Sequence, residues 1–440
     1  MKWVMLILLF LAVGCAPEAE LPVTIPSDAV DAISAETTAD AVANDTVVVA
    51  EKVPIEPAGF EIFQPVLTYE GAYNGPLYGT SEQVGSVDMK DYFKLLDRNG
   101  INFFIGMFAI EGEPSAGTLT INDGLGYVVA AAQKHPYRII PFFNPGLGGE
   151  EVEPYVGDTL TGWYTDTLKA TKSVIGNDFI RGFGEVETQE WSKGHDSPEV
   201  QQLIMLAKKN NIHFMFHPVA SKTDDVENIL KMYPDTTFLI HLYRSDLSKE
   251  KTEWIRLLKE YDNFYFSMDA AHIIHVNGND IIYDYDTGND ATSKQKLFAT
   301  LNQEEDDIIR SAISTYKPLV DAAPEKIMWG TEMGPEYSFG SEVFDRAVKI
   351  SRFVLAGFDK EHQEAVAYKN ALRVFGQGVV ADPNIKVLDT SSWPDCNDDQ
   401  MSSCDEPCEI PDGNSLTAEQ EACFQNCLIE KQCRDVVEQD

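Results

Sequence analysis

Three short apolar runs in the middle of the chain each finish on a residue that can bind a metal ion. Glu185 ends Gly182-Phe-Gly-Glu, His217 ends Ile212-His-Phe-Met-Phe-His, and His241 ends Thr236-Thr-Phe-Leu-Ile-His. One carboxylate and two imidazoles form a donor set that divalent cations accept. A cation held by such a set polarises a carbonyl or phosphoryl oxygen and acidifies water. Helical patterns separate the three runs, and Asp196-Ser-Pro-Glu199 opens the first of them. The strands are therefore expected to be parallel, with their ends on one face. In a parallel α/β barrel that face carries the site. The plain alternative is that each histidine is a structural one, bonded to backbone or to a carboxylate neighbour.

The elements that must position these residues extend to either side. Between residues 58 and 390 the chain alternates strand-like and helix-like stretches. Strands are expected at 60–67, 101–108, 137–143, 178–186, 212–217, 236–241, 263–269 and 326–332, with 68–85 as a loop. Helices are expected at 87–99, 122–134, 158–173, 224–232, 249–261, 304–321 and 342–356. A further helix opens with Ser197 as N-cap and Pro198 in its first position. Eight such alternations predict a (β/α)8 TIM barrel. No cysteine lies between Ala16 and Asp395, so the barrel must rest on its own apolar core.

Composition narrows the function classes. A chain of 440 residues with 44% hydrophobic content has ample material for a core. Its formal charge of −37 excludes nucleic-acid binding through phosphate contacts, which needs basic surface. A small-molecule substrate or a cation is compatible with that charge. Part of the acidity is local: residues 16–57 carry only Lys52 as a base, and the tail after Thr390 carries only Lys431 and Arg434.

The two ends read differently from the middle. Met1-Lys2 precedes an apolar run to Val13 and then Gly14-Cys15, the pattern of a secretory signal too short to span a bilayer stably. Residues 16–57 contain no aromatic side chain and read as a disordered acidic tether. Residues 391–440 hold Cys396, Cys404, Cys408, Cys423, Cys427 and Cys433. In an exported chain such a set reads as disulfides. Cys404 and Cys408, like Cys423 and Cys427, share a helix face by spacing, and Pro411-Asp-Gly-Asn lies between the two pairs. The tail is expected to be a disulfide-rich helical hairpin. Of the 15 possible pairings, antiparallel helices favour Cys404–Cys427 and Cys408–Cys423, leaving Cys396–Cys433. A metal site is the alternative, although the tail contains no histidine.

Several of these stretches resemble known families. Ala12-Val13-Gly14-Cys15 is similar to the lipobox of prokaryotic lipoproteins, which implies lipidation of Cys15 and attachment of an exported protein to the cell membrane or surface. Residues 60–378 resemble the amidohydrolase superfamily, especially its amidohydrolase-related branch. Glu185 after Gly184, His217-Pro218, the run ending at His241, Phe264-Tyr-Phe-Ser267, the stretch 326–333 and Asn370-Ala-Leu-Arg-Val-Phe375 carry the resemblance. Two positions depart from the family pattern. Thr68 and Glu70 stand where the first strand normally has His-x-His, and Glu332 stands where the eighth normally has Asp. Oxygen ligands in place of histidine favour a harder cation such as Mn²⁺ or Mg²⁺ over Zn²⁺.

The resemblance implies a membrane-tethered, extracytoplasmic, metal-dependent hydrolase. One divalent ion would be held by Glu70, Glu185, His217, His241 and Glu332. Glu332 would act as general base, and His241 would otherwise bind the substrate oxygen. His272 and His275, after the seventh strand, are further candidates for the site, or plain loop histidines. The rival readings are a non-catalytic barrel kept for binding and a metal-dependent decarboxylase.

Overall fold

The computed structural model describes residues 62, 64–83, 89–109, 119–120, 124–144, 158–176, 178–188, 194–219, 221–242, 247, 249–269, 274–276, 279–281, 291–331 and 341–389, with 400, 403–404, 408, 423, 427 and 431 of the tail. Cys15, the tether, His272, Glu332, Cys396 and Cys433 lie outside the described residues, as does the side chain of His275.

Eight parallel strands make one sheet in chain order. They are β1 (Leu77–Gln83), β2 (Ile101–Ala109), β3 (Ile139–Asn144), β4 (Gly182–Val186), β5 (His213–Phe216), β6 (Phe238–His241), β7 (Phe264–Asp269) and β8 (Ile327–Gly330). Ladder bonds run from β1 to β8, and the ring closes where the Thr80 hydroxyl on β1 donates to the Trp329 carbonyl on β8 at 2.9 Å. Helices lie between the strands: α1 (Met89–Asn99), α2 (Gly124–Lys134), α3 (Asp158–Ile175), α4 (Pro198–Asn210), α5 (Thr223–Met232), α6 (Lys251–Glu260), α7 (Ala291–Gln303), α8 (Glu305–Ala322) and α9 (Ser341–Ala356). Ser197 caps α4, its hydroxyl accepting from the Val200 amide, and Pro198 opens the helix.

Strand alternation divides the core in two. Phe183, Phe214, Phe216, Phe238, Ile240, Phe264 and Trp329 join the layer between sheet and helices. Tyr78, Ile105, Phe142, Met215, Leu239, Tyr265 and Met328 fill the barrel itself. After a short helix at Lys360–Glu364 and a π-helical turn at Ala365–Lys369, α11 (Asn370–Phe375) stoppers the strands' N-terminal end. Its Phe375 ring packs edge-on to His213 at 4.8 Å and Phe142 at 5.9 Å, and Asn370 donates to the Ile327 carbonyl at 2.8 Å. The Lys360–Glu364 helix is α10 in this order.

The first strand is a correction. The expected strand at 60–67 is not one: its described residues are coil and bend, and β1 falls in the stretch expected to be a loop. The reason lies in packing. Leu77 and Tyr78 supply the apolar anchor, while Thr80 is held by polar contacts inside the ring, to Trp329 and to the Ser267 hydroxyl at 2.8 Å. Residues 65–75 instead sit beneath the barrel. The Val66 and Leu67 amides donate to the Arg98 carbonyl at the end of α1, at 3.1 and 3.0 Å. Gly100 has φ +69°, and a Cβ there would meet Pro65 at 2.7 Å, so the helix-to-strand turn under this segment needs glycine. Buried Arg352 of α9 donates to the Tyr73 and Gly75 carbonyls, both at 2.9 Å, and to the Asn99 carbonyl.

In the tail, Cys404 is bonded to Cys427 and Cys408 to Cys423, the antiparallel pairing expected from their spacing. Among the described residues no helix is long and apolar enough to cross a membrane.

His135, after α2, stacks on Phe93 at 3.6 Å, and burial together with the nearby Arg138 charge pushes its pKa down from 6.5 to about 4. Between those values the unfolded chain binds a proton that the fold excludes. Stability held above pH 6.5 is therefore expected to fall as pH drops toward about 4. His135→Phe keeps the stack and removes the titration, so the variant's melting temperature should depend less steeply on pH across that window. Parallel profiles for the variant and the parent would disprove the linkage.

Candidate metal centre

The chain builds the centre from three adjacent strand ends. On β5 alternate residues face inward, so His213, Met215 and His217 line the barrel while Phe214 and Phe216 pack outward. On β6 the same alternation brings Leu239 and His241 inside. Glu185 is the exception to simple alternation. Phe183, two residues earlier, faces outward, and a regular strand would send Glu185 the same way. The ladder pairs Phe183 with Phe214 but Val186 with Phe216, so three steps on β4 match two on β5. This β-bulge inserts one residue and turns Glu185 to the interior. Gly184 makes the bulge possible: its φ is +138°, and a Cβ there would lie 2.6 Å from both Cβ and carbonyl oxygen of Met215.

The three side chains converge. One ligand atom of each lies within 4.8 Å of the others, and all three residues are buried. Glu185 Oε1 stands 3.4 Å from His217 Nδ1 and 3.5 Å from His241 Nδ1. The imidazole rings are 5.3 Å apart, inclined at 77°. A tetrahedral ion with bonds of about 2.0–2.1 Å needs ligand atoms about 3.3–3.5 Å apart, so the two measured separations suit one cation shared by all three groups. Among the described residues the buried Glu185 Oε1 has no neighbour in good hydrogen-bond geometry, its near groups being the two imidazole nitrogens, as suits a lone pair directed at a cation. Burial pushes the Glu185 carboxyl up, but the neighbouring His241 and His217 outweigh it and hold the carboxyl well below the usual range. The site thus favours a carboxylate beside positive charge.

Bonds between the two outgoing chains fix this geometry. The His217 amide donates to the Val186 carbonyl at 3.1 Å, and the buried Thr188 hydroxyl donates to the His217 carbonyl at 3.0 Å. Ser267 on β7 pairs in register with His241, so its hydroxyl and that of Thr80 share the layer of the cluster.

Glu70, expected to be a fifth ligand, is not part of the cluster. It lies exposed in the turn beneath the barrel, where the neighbouring Tyr69 ring stacks under Lys349 of α9 at 5.8 Å. That turn is at the strands' N-terminal end, opposite Glu185, His217 and His241. Thr68 is in the same exposed segment. The error follows from the misplaced first strand. Glu332 follows β8 by two residues and lies outside the described residues. His195, a residue the sequence reading passed over, is buried beside Phe216, with 6.3 Å between ring centroids. It is a single histidine in a loop and repeats at no strand or helix period, so pattern reading had no purchase on it.

No protein-family model matches the sequence, and no curated protein matches it. Solved structures are similar to parts of this chain. One is a probable 2-pyrone-4,6-dicarboxylic acid hydrolase from Acinetobacter baumannii with citric acid bound, 13% identical, with a TM-score of 0.42, covering 68% of this chain and 99% of its own. Another is an amidohydrolase from Burkholderia multivorans with bound Zn, 10% identical, with a TM-score of 0.40, covering 69% of this chain and 100% of its own. A third is 4-oxalomesaconate hydratase from Rhodopseudomonas palustris, 9% identical, with a TM-score of 0.37, covering 68% of this chain and 95% of its own.

The bulge generates a prediction. Gly184→Ala puts a methyl into Met215 and strains the positive φ, costing about 1–3 kcal/mol. Thermal melts should show that loss. A structure of the variant should show Glu185 drawn away from the histidines. A variant of parental stability and unchanged Glu185 position would refute this account of the bulge.

Proposed function

We propose that Glu185, His217 and His241 hold one divalent cation at the C-terminal mouth of the barrel, and that the protein is a metal-dependent hydrolase of the amidohydrolase kind acting on a small molecule. The observation that carries this reading is the carboxylate oxygen placed 3.4 and 3.5 Å from two buried imidazole nitrogens. With Glu70 removed from the set and Glu332 assigned the role of general base, two imidazoles and the Glu185 carboxylate remain as ligands. That set matches the three-ligand pattern of catalytic zinc sites with a further position for water or substrate. It restores Zn²⁺ as a leading candidate, with Mn²⁺ next and Mg²⁺ least suited to imidazole.

A cation bound there supplies Lewis acidity toward a carbonyl or phosphoryl oxygen and lowers the pKa of water. The chain's own residues do the rest. The Glu185 carboxylate and the two imidazoles orient the reacting group, and the packed barrel interior excludes bulk water from their inner side. Glu332, after β8, takes the proton of the attacking water as general base. The Thr80 hydroxyl is committed to the Trp329 carbonyl, so the Ser267 hydroxyl supplies the proton of their mutual bond. Among the described side chains, that side of the layer therefore presents neutral hydroxyls.

Mn²⁺ titration of the full chain, read from the free-ion electron paramagnetic resonance signal, tests the reading. One ion per chain is expected. His217→Ala and His241→Ala should each weaken binding at least about 100-fold, the upper end of what losing a supporting partner costs. Failure of the parent protein to take up Mn²⁺ or Zn²⁺ would overturn the metal reading.

The same proposal places the protein outside the cytoplasm, anchored through lipid on Cys15, with residues 16–57 as its tether; the sequence pattern Ala12-Val-Gly-Cys15 supports this. The parent should partition into the detergent phase and Cys15→Ser should not. An unlipidated mature protein beginning elsewhere would end that part of the proposal.

A further inference from the structure

The loop leaving β4, which carries Glu185, and the loop leaving β5, which carries His217, are joined at a third point beyond those already described. The Val219 amide, two residues past His217, donates to His195 Nε2 at 2.7 Å. His195 is 1% exposed. Because Nε2 accepts, the ring proton resides on Nδ1, and among the described residues that Nδ1 has no hydrogen-bond partner. Burial pushes the His195 pKa down to about 4 against the opposing Asp196 charge, so the ring stays neutral and remains an acceptor at physiological pH.

An unpartnered ring nitrogen in the interior costs free energy. A backbone amide alone needs only a carbonyl or a water as partner. What the imidazole adds is reach and rigidity: a flat, two-torsion side chain spans from one loop to the next and holds Val219 at fixed distance. Together with the Val186 and Thr188 bonds to His217, it sets how far the His217 imidazole stands from the Glu185 carboxylate.

We infer that His195 is a positioning residue of the Glu185–His217–His241 centre, acting through the Val219 amide to fix the loop that carries His217. The inference rests on the metal reading for its consequence but not for its geometry, and the test separates the two.

Three variants of the full chain are compared. In His195→Gln the side-chain carbonyl can replace Nε2 as acceptor, in His195→Asn it stops about one bond short, and His195→Leu has no acceptor. Mn²⁺ affinity should fall about 10–100-fold in His195→Leu and His195→Asn, the usual cost of losing an outer partner, and stay within about threefold in His195→Gln. Should His195→Leu fail to fold, His195→Asn against His195→Gln carries the comparison. Folded His195→Asn with parental affinity, or His195→Gln as weak as His195→Asn, would overturn the inference. Long-range ¹H–¹⁵N spectra of the histidine rings give a readout that needs no metal. The His217 ring signals should move in His195→Asn and hold in His195→Gln. If the parent takes up no metal, the metal reading fails, and these spectra alone decide the positioning role; unmoved His217 signals in His195→Asn would reject it.

Discussion

A carboxylate buried between two imidazoles is the constraint to which the rest of this barrel answers. Removing an ionised carboxylate from water costs several kcal/mol unless opposite charge and good geometry accompany it. Glu185 is 5% exposed, deep enough to incur that cost. Its compensation comes from His217 and His241, the two residues that strand alternation turns inward beside it. The arrangement is delicate because Glu185 reaches the interior only through an irregularity in β4. A glycine seated against the Met215 backbone permits that irregularity. One extra backbone residue thus decides whether the strand end is a polar centre or another outward-facing side chain.

The two ends of the barrel differ in the groups they gather. At the strands' C-terminal end sit the ionisable groups and the loops that carry them. At the other end Arg352, 0% exposed, gathers carbonyls from the entering segment and from the end of α1, while Phe375 fills the bore. Among the described residues Arg352 donates from both Nη atoms to main-chain oxygens and to no carboxylate, so it acts as a clamp on the chain path. Burial pushes its pKa down to about 10, still charged at neutral pH.

Most of this architecture was legible in the sequence because it is written in apolar runs. β2 to β8 are short, largely apolar and punctuated by helical periodicity, and each was found at or near its observed bounds. Glu185, His217 and His241 were legible for the same reason: a polar residue closing an apolar strand stands out. β1 was not, since Leu77-Tyr-Gly-Thr-Ser-Glu-Gln83 has two apolar residues and reads as a turn. Its strand character comes from pairing with β2 and from hydroxyl contacts across the ring, which are tertiary. Glu70 entered the expected site through that error. The bulge left only a faint trace, Gly182-x-Gly184, and the register change behind it depends on β5.

The stopper at the strands' N-terminal end has a kinetic meaning. Among the described residues, Phe375, packed against Phe142 and His213 below a bore filled with Tyr78, Ile105, Met215 and Met328, leaves no opening along the axis at that end. Whatever reaches Glu185, His217 and His241 must enter and leave by the same mouth. An arriving and a departing ligand then compete for one passage. Exchange in such a cul-de-sac obeys strict succession: each occupant departs before its successor can arrive.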